Sequence, residues 1–165
     1  MREKGNPAAS SFIQPGERLP ELQLSGAQRE DLRLPAPELG SPALLFVRDA
    51  VLDRDADCIR SWEEQLPELT VWYGRPIVIT ETRQLAAALP VARAAPDAWN
   101  ALGIEPGACA LIIADRWGMI YLARQARRLA DLPDVRATLE WLRFLATQCP
   151  ECGVIDEPGY GEWAP

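Results

Sequence analysis

Cys58 lies where a buried strand gives way to an amphipathic helix, which makes it the residue of this chain best placed for chemistry. The strand is predicted over 43–47 and the helix over about 58–69, where apolar residues recur at helical spacing. A cysteine in the first turn of a helix faces the positive end of the helix dipole, which favours the thiolate and lowers the pKa of the thiol. The pattern therefore predicts a nucleophilic thiol at Cys58.

Ser61 completes a Cys-x-x-Ser pattern that begins at Cys58. In a reactive site, Cys58 would attack a peroxide or a disulfide, and Arg60 or Arg54 would supply positive charge. The alternative is a cysteine that only packs at the start of the helix. The acidic residues just before it favour that alternative, because like charge opposes a thiolate. These residues are Asp53, Asp55 and Asp57.

Cys149 and Cys152 belong to a second pattern, Cys-Pro-x-Cys-Gly, near the end of the chain. Zinc ribbons and rubredoxin-like sites use this turn to aim two sulfurs at one ion. Four-coordinate zinc or iron needs two more ligands, so such a site would be shared with a second protomer or with another protein. Two alternatives stay open: a redox pair that forms its own disulfide, and a tight turn with free thiols.

The composition excludes several classes of site. The 165 residues include no histidine, which rules out histidine-based catalytic triads, Cys-His pairs, and zinc or haem sites with histidine ligands. The net charge is −7 and no basic block is present, so we expect neither a nucleic-acid partner nor an anionic membrane surface. The longest apolar run, 108–114, is too short to cross a membrane.

The N-terminal residues are polar and lack the apolar stretch of a secretion signal. The four cysteines are too few and too unevenly spaced for a secreted disulfide scaffold. We therefore expect a cytoplasmic protein with no membrane insertion.

The order of predicted elements indicates one α/β domain over 15–147, with a flexible lead-in at 1–14 and an irregular tail at 148–165. Strands 43–47 and 76–80, joined through a helix, form a parallel pair. Helices then cover both faces of a mixed sheet. The other predicted elements are a front hairpin at 19–24 and 32–34, helices at 85–89, 97–102 and 131–147, and an antiparallel hairpin at 108–114 and 119–123, while 90–96 is ambiguous.

Three segments of the chain resemble a known family. Residues 15–24 are similar to a Gly-x-x-x-Pro-x-Phe-x-Leu opening, 43–47 resembles the strand that leads to a peroxidatic cysteine, and 102–118 resembles a Tyr-Gly-Val … Phe-Ile-Ile-Asp-x-x-Gly hairpin. The family is the peroxiredoxin branch of the thioredoxin fold, the alkyl hydroperoxide reductase and thiol-specific antioxidant (redoxin) family. The likeness covers about residues 15–147.

The resemblance implies a thioredoxin-like fold with a mixed central sheet, helices on both faces, an N-terminal β-hairpin and an irregular C-terminal tail. It implies a thiol peroxidase or disulfide oxidoreductase that takes a peroxide or a disulfide and uses Cys58 as its nucleophile. Cys149 and Cys152 would then be the resolving pair. They would act across a homodimer, as C-terminal cysteines do in typical two-cysteine peroxiredoxins.

The chain departs from the family pattern around Cys58. The family carries Pro-x-x-x-Thr/Ser-x-x-Cys, whereas Val51 and Asp55 stand at the proline and threonine positions here. The place of the family arginine holds Ala108 and Cys109. These departures indicate an active site that has lost its usual residues. The alternative function is therefore a non-catalytic redoxin-like binding or accessory subunit of a larger assembly, which docks on a protein partner through its C-terminal tail.

Cys109 begins an apolar strand and is by itself a core residue. In a thioredoxin-like fold the start of this strand lies beside the first-helix cysteine, so the resemblance makes a Cys58–Cys109 disulfide geometrically feasible. Such a bond needs Cα atoms within about 7 Å of each other.

Overall fold

The computed structural model describes residues 11–26, 31–37, 40–52, 54–72, 74–81 and 88–148. Within these ranges seven strands form one sheet and five α-helices pack around it. The strands are β1 (Leu22–Gly26), β2 (Asp31–Leu34), β3 (Ser41–Phe46), β4 (Gly74–Thr80), β5 (Val91–Ala94), β6 (Cys109–Ala114) and β7 (Ile120–Ala126). The helices are α1 (Asp49–Leu52), α2 (Ala56–Glu64), α3 (Leu66–Val71), α4 (Pro96–Ala101) and α5 (Val135–Thr147), and a 3-10 turn, Leu129–Asp131, links β7 to α5.

The sheet is mixed, with the strand order β2-β1-β5-β4-β3-β6-β7. β3 pairs parallel with β4 and antiparallel with β6. β5 pairs parallel with β4 and antiparallel with β1, so it joins the front hairpin to the central strands. The α/β class, the parallel pair and both predicted hairpins are confirmed. β5 occupies the segment that the sequence leaves ambiguous.

The central strands separate two hydrophobic cores, because successive side chains of a strand point to opposite faces. Leu44 and Phe46 of β3 face a first core, which the front hairpin and α4 complete. Ala43 and Leu45 face a second core, which α2, α3 and α5 complete. Helices therefore cover both faces, and the central strands β3, β4 and β6 are buried along nearly their whole length rather than alternating between buried and exposed residues.

The helix expected over 58–69 is two helices in the structure. α2 ends at Glu64, and α3 begins at Leu66 with Pro67 in its first turn. Proline lacks an N–H group and its ring clashes with the carbonyl of the preceding turn, so α2 cannot continue through Pro67 and a new helix starts.

Several expectations fall on residues outside the described ranges. They concern most of the lead-in, the greater part of the helix at 85–89, and the tail from Cys149 onward. Among the helices of the described residues, none is both long enough and apolar enough to cross a membrane.

Candidate thiol site

Cys58 is the third residue of α2, which follows β3 after the short helix α1. Its backbone N–H donates to the carbonyl oxygen of Asp55 at 3.0 Å. The side chain is half-buried and packs against the second core, where Ile59 and Trp62 anchor the helix. The thiol therefore lies in the first turn of the helix that follows β3 and the short α1, where the sequence predicts it.

The pKa of the Cys58 thiol is raised above its ordinary value. Burial is the largest cause, and the Asp55 and Asp57 carboxylates add to it, whereas the Arg128 guanidinium lowers the pKa. The expectation that the helix start lowers this pKa is therefore wrong. Partial loss of water and the two carboxylates around the first turn of this nine-residue helix both disfavour the thiolate.

Arg60 and Ser61, the other predicted residues of the site, form contacts along the helix. Arg60 is exposed and pairs with Asp57 at 3.5 Å. The Ser61 hydroxyl donates to the carbonyl oxygen of Cys58 at 2.7 Å. Their contacts are thus with a carboxylate and a backbone oxygen, and any part that they take in catalysis stays a prediction.

Arg128 is the cation that acts on the Cys58 thiol, and the sequence analysis missed it. It follows β7, seventy residues after Cys58, and precedes the 3-10 turn. Arg54, which the sequence proposed for this role, instead donates to the carbonyl oxygen of Arg127 at 2.9 Å. The sequence feature that could have indicated a cation here is the pair Arg127-Arg128, which comes shortly after the strand predicted at 119–123.

Cys109 opens β6 and is completely buried. Its thiol donates to the carbonyl oxygen of Ala126 at 3.2 Å. Burial is the largest cause that raises the pKa of Cys109 to about 11, and the Asp55 carboxylate also raises it. The thiol is therefore protonated at neutral pH. Cys58 and Cys109 are free thiols that lie against the same core, and a disulfide between them stays a prediction.

Asp55 is a buried carboxylate that raises the pKa of both thiols. Its side chain is only 5% exposed, and its Oδ2 accepts the backbone N–H of Leu129 at 2.9 Å. The residue at the threonine position of the family pattern thus binds the backbone of a distant segment.

Comparisons with solved structures agree with the fold. No protein-family model and no curated protein matches the sequence. Among solved structures, a peroxiredoxin-like protein from Aquifex aeolicus matches with a TM-score of 0.66 and 13% identity, over 83% of this chain and 90% of that one. Peroxiredoxin Q from Xanthomonas campestris matches with a TM-score of 0.64 and 13% identity, over 83% of this chain and 99% of that one.

A putative thiol:disulfide interchange protein DsbE from Chlorobium tepidum matches with a TM-score of 0.59 and 17% identity, over 81% of this chain and 98% of that one. The chain has a thioredoxin fold. The resemblance expected from the sequence is confirmed for the architecture. Identities this low show the fold alone and assign no role to any residue.

The residues around Cys58 differ from the family pattern that the sequence resembles. Val51, at the proline position, is buried in the second core. Asp55, at the threonine position, brings a carboxylate instead of a hydroxyl. At the start of β6, Ala108 and Cys109 bring apolar surface and a neutral thiol where the family has an arginine.

Cys149 and Cys152 lie outside the described residues. Within the described ranges, no group of three or more histidine, cysteine, aspartate or glutamate side chains is arranged to hold a metal ion. A shared zinc or iron site at the two C-terminal cysteines therefore stays a prediction.

Proposed function

We propose that this protein is a thiol-based redox protein, a peroxidase or a disulfide oxidoreductase, in which Cys58 is the nucleophile. The observation that carries the proposal is the position of Cys58 in the thioredoxin fold. A half-exposed thiol stands at the start of α2, against the core that also holds the buried thiol of Cys109. The fold similarity to peroxiredoxins and to a thiol:disulfide interchange protein supports the same class of chemistry.

The reaction with a hydroperoxide begins from the thiolate of Cys58. The sulfur attacks the terminal oxygen of the hydroperoxide, the O–O bond breaks, and the alkoxide takes up a proton and leaves as an alcohol. Cys58 is thereby oxidised to a sulfenic acid. A second thiol then attacks the sulfenic sulfur, which gives a disulfide and releases water.

Cys149 or Cys152 is the proposed second thiol. An external thiol reductant then restores both cysteines by thiol–disulfide exchange.

The raised pKa of Cys58 makes this chemistry slow at neutral pH, because only a small fraction of the thiol is ionised. The thiolate that does form is a strong nucleophile, since nucleophilicity rises with thiol pKa. The rate of reaction should therefore increase as the pH rises toward the pKa of Cys58.

The test is brief exposure of the fully reduced protein to stoichiometric hydrogen peroxide, followed by mass spectrometric mapping of every cysteine. We expect a sulfenic acid at Cys58, or a disulfide that contains Cys58, before any other cysteine is oxidised. The Cys58→Ser variant should lose this first oxidation, whereas Cys109→Ser should keep it. Oxidation without selectivity for Cys58 would overturn the proposal.

A second candidate is a non-catalytic redoxin-like accessory subunit. The observation that favours it is the acidic surrounding of the thiol, because Asp55 and Asp57 both oppose the thiolate. In this case Cys58 packs at the start of α2 and the chain binds a protein partner through its tail. Unselective oxidation in the peroxide experiment is the outcome that this candidate predicts.

Three further proposals concern the molecule as a whole. As an alternative to the resolving role, the C-terminal cysteines hold zinc or iron in a shared site, which metal analysis of the purified protein tests. The chain forms a homodimer, which sedimentation equilibrium tests. The protein works in the reducing environment of the cytoplasm, and the free thiols of Cys58 and Cys109 support this location.

A further inference from the structure

The segment 126–129, which leaves β7, is tied to the thiol site by three hydrogen bonds. The carbonyl oxygen of Ala126 accepts from the Cys109 thiol at 3.2 Å. The next carbonyl oxygen along the segment accepts from the Arg54 guanidinium at 2.9 Å. The backbone N–H of Leu129 donates to the Asp55 carboxylate at 2.9 Å. Two of the three side chains come from consecutive residues just before α2.

Arg54 and Asp55 form hydrogen bonds with the two backbone positions that flank Arg128. The backbone is thus fixed immediately before Arg128, at the Arg127 carbonyl, and immediately after it, at the Leu129 N–H. Its own carbonyl oxygen accepts the N–H of Asp131 at 3.2 Å in the 3-10 turn. The Cα position of Arg128 is therefore set by contacts with the segment that leads to Cys58.

The contacts of Asp55 offset part of the hydration that its carboxylate loses on burial. A carboxylate that is 95% buried loses most of its hydration, and a hydrogen bond from a backbone N–H offsets part of that loss. The Arg54 guanidinium, at 3.9 Å from the other carboxylate oxygen, offsets a further part. Removing the carboxylate would leave the N–H of Leu129 without this acceptor.

We propose that Arg54 and Asp55 are positioning residues, which hold the backbone on both sides of Arg128 against the start of α2 and so keep its positive charge at the helix end that carries Cys58. Arg128 is exposed, and a free arginine side chain at a surface loses rotamer entropy when it stays near a charge. An anchored backbone reduces the number of positions that the guanidinium can take. The consequence for turnover rests on the proposed function, but the positioning itself does not.

Three charged side chains act on the Cys58 thiol, and one of them, Asp55, also holds the backbone next to another. Asp55, Asp57 and Arg128 act on Cys58. Asp55 therefore has two opposed effects: its own charge disfavours the thiolate, and its hydrogen bond holds a cation that favours it. A variant that removes the charge but keeps the hydrogen-bond acceptor distinguishes the two effects.

The test is a double-mutant comparison of Asp55→Asn and Asp55→Ala, each with and without Arg128→Gln. Asparagine and alanine both remove the charge, but only asparagine still offers an oxygen to Leu129. The readout is the pKa of Cys58, from the pH dependence of its alkylation by iodoacetamide, with the modified cysteine identified by mass spectrometry. Arg116→Gln, at an exposed residue of the β6–β7 turn, is the matched control.

With Asp55 intact, we expect Arg128→Gln to reduce the thiolate fraction at neutral pH about two- to fivefold, as for a partly exposed charge pair. The reduction should persist in the Asp55→Asn background and largely disappear in the Asp55→Ala background. Equal reductions in the two backgrounds, or none with Asp55 intact, would overturn the proposal.

Arg54→Ala provides a second route if Asp55→Ala fails to fold. Arg54 is 56% exposed, so its replacement leaves the core intact. The effect of Arg128→Gln should be smaller in this background, and an undiminished effect would contradict the proposal. Alkylation measures only the thiol, so a Cys58 that never reacts with peroxide could still show the coupling. The failure of the proposed function is thus distinguishable from the failure of this inference.

Discussion

At the scale of single residues, the thiol site is a balance between burial, two carboxylates and one guanidinium. Burial and the acidic residues raise the pKa of Cys58, and Arg128 alone among the named charges lowers it. The net direction is upward, so the position of a cysteine in a helix does not by itself predict its reactivity. Burial and the full charges of neighbouring side chains act on the thiol as well as the partial charge of the helix terminus.

Asp57→Asn should lower the pKa of Cys58 and speed its alkylation at neutral pH. The Asp57 side chain is 92% exposed, so the change should be smaller than that from Asp55→Asn and should shrink in high salt. The measurement is the alkylation rate of Cys58 against pH at low and high ionic strength. Asp97→Asn, which removes an acidic residue from the first turn of α4, is the matched control and should change nothing.

Cys109 should make the stability of the fold depend on alkaline pH. The folded state raises the pKa of this thiol from 9.0 to about 11, so the unfolded chain loses the proton first as the pH rises. The contribution of the buried neutral thiol is therefore complete below the unfolded pKa and is lost as the pH approaches the folded one. The full loss is about 3 kcal/mol in the free energy of unfolding.

Urea unfolding at a series of pH values between neutral and about 11 measures this loss. Burial also raises the pKa of Tyr121, so this side chain is a second buried group that ionises at alkaline pH. Cys109→Ala removes only the thiol, so the difference between the two proteins isolates its part. Parallel pH profiles for both proteins would show that Cys109 is not the group responsible.

At the scale of elements, the parts with a strong local pattern could be predicted from the sequence. The central strands β3, β4 and β6 are apolar runs, and α5 carries its buried leucines at helical spacing. β5 has no such pattern, since it is a four-residue Val-Ala-Arg-Ala segment that follows a proline. Its strand geometry comes from pairing with β1 and β4, which are distant in sequence.

The difference between local patterns and contacts of distant segments also explains which site residues could be predicted. Cys58 and Cys109 could be named in advance, because each belongs to a local pattern and the resemblance brings the two patterns together. Arg128 could not be named in advance, because its segment is some seventy residues from Cys58 in sequence and comes to the site only through packing. Pairwise contacts of this kind leave no periodicity in the sequence.

Gly74 shows how closely elements approach in the second core. A Cβ atom at this residue would lie 2.7 Å from the carbonyl oxygen of Leu69 in α3 and would clash with the side chain of Leu142 in α5. Gly74→Ala should therefore lower the free energy of unfolding by about 1 to 3 kcal/mol, as expected for overpacking.

Thermal or urea unfolding measures the effect of Gly74→Ala. The double variant with Leu142→Ala is the control, because it removes one of the two clashing groups. The two changes should therefore destabilise the fold by less than the sum of their separate effects. Strict additivity would show that the glycine is not required for the approach of α5.

At the scale of the whole molecule, the two faces of the sheet carry different contacts at the edge where β3 and β4 end. On one face, Arg48 forms an ion pair with Glu81 and lies 4.5 Å from the ring centroid of Trp99, which ties the ends of both strands to α4. On the other face lie the two described thiols and the segment that carries Arg128. The same end of the sheet thus carries an ion pair on one face and the two described thiols on the other.

The identity of the resolving thiol is a property of the whole chain, because the proposed pair, Cys149 and Cys152, is distant from Cys58 in sequence. Cys109 is poorly suited to the step, since its pKa of about 11 leaves almost no thiolate to attack a sulfenic acid. We therefore expect the Cys149→Ser/Cys152→Ser variant to accumulate the sulfenic acid at Cys58 after a brief peroxide pulse. Trapping with dimedone and mass spectrometry measures it.

The matched variant for that experiment is Cys109→Ala, which should resolve its sulfenic acid at the rate of the unmodified chain. A Cys58–Cys109 disulfide that forms as fast in the double serine variant as in the unmodified chain would contradict the prediction. It would assign resolution to the buried thiol, and the segment that Ala126 belongs to would then have to give up its hydrogen bond from Cys109 in every cycle. Because the same segment carries Arg128, such a disulfide should also change the environment of the nucleophile that formed it.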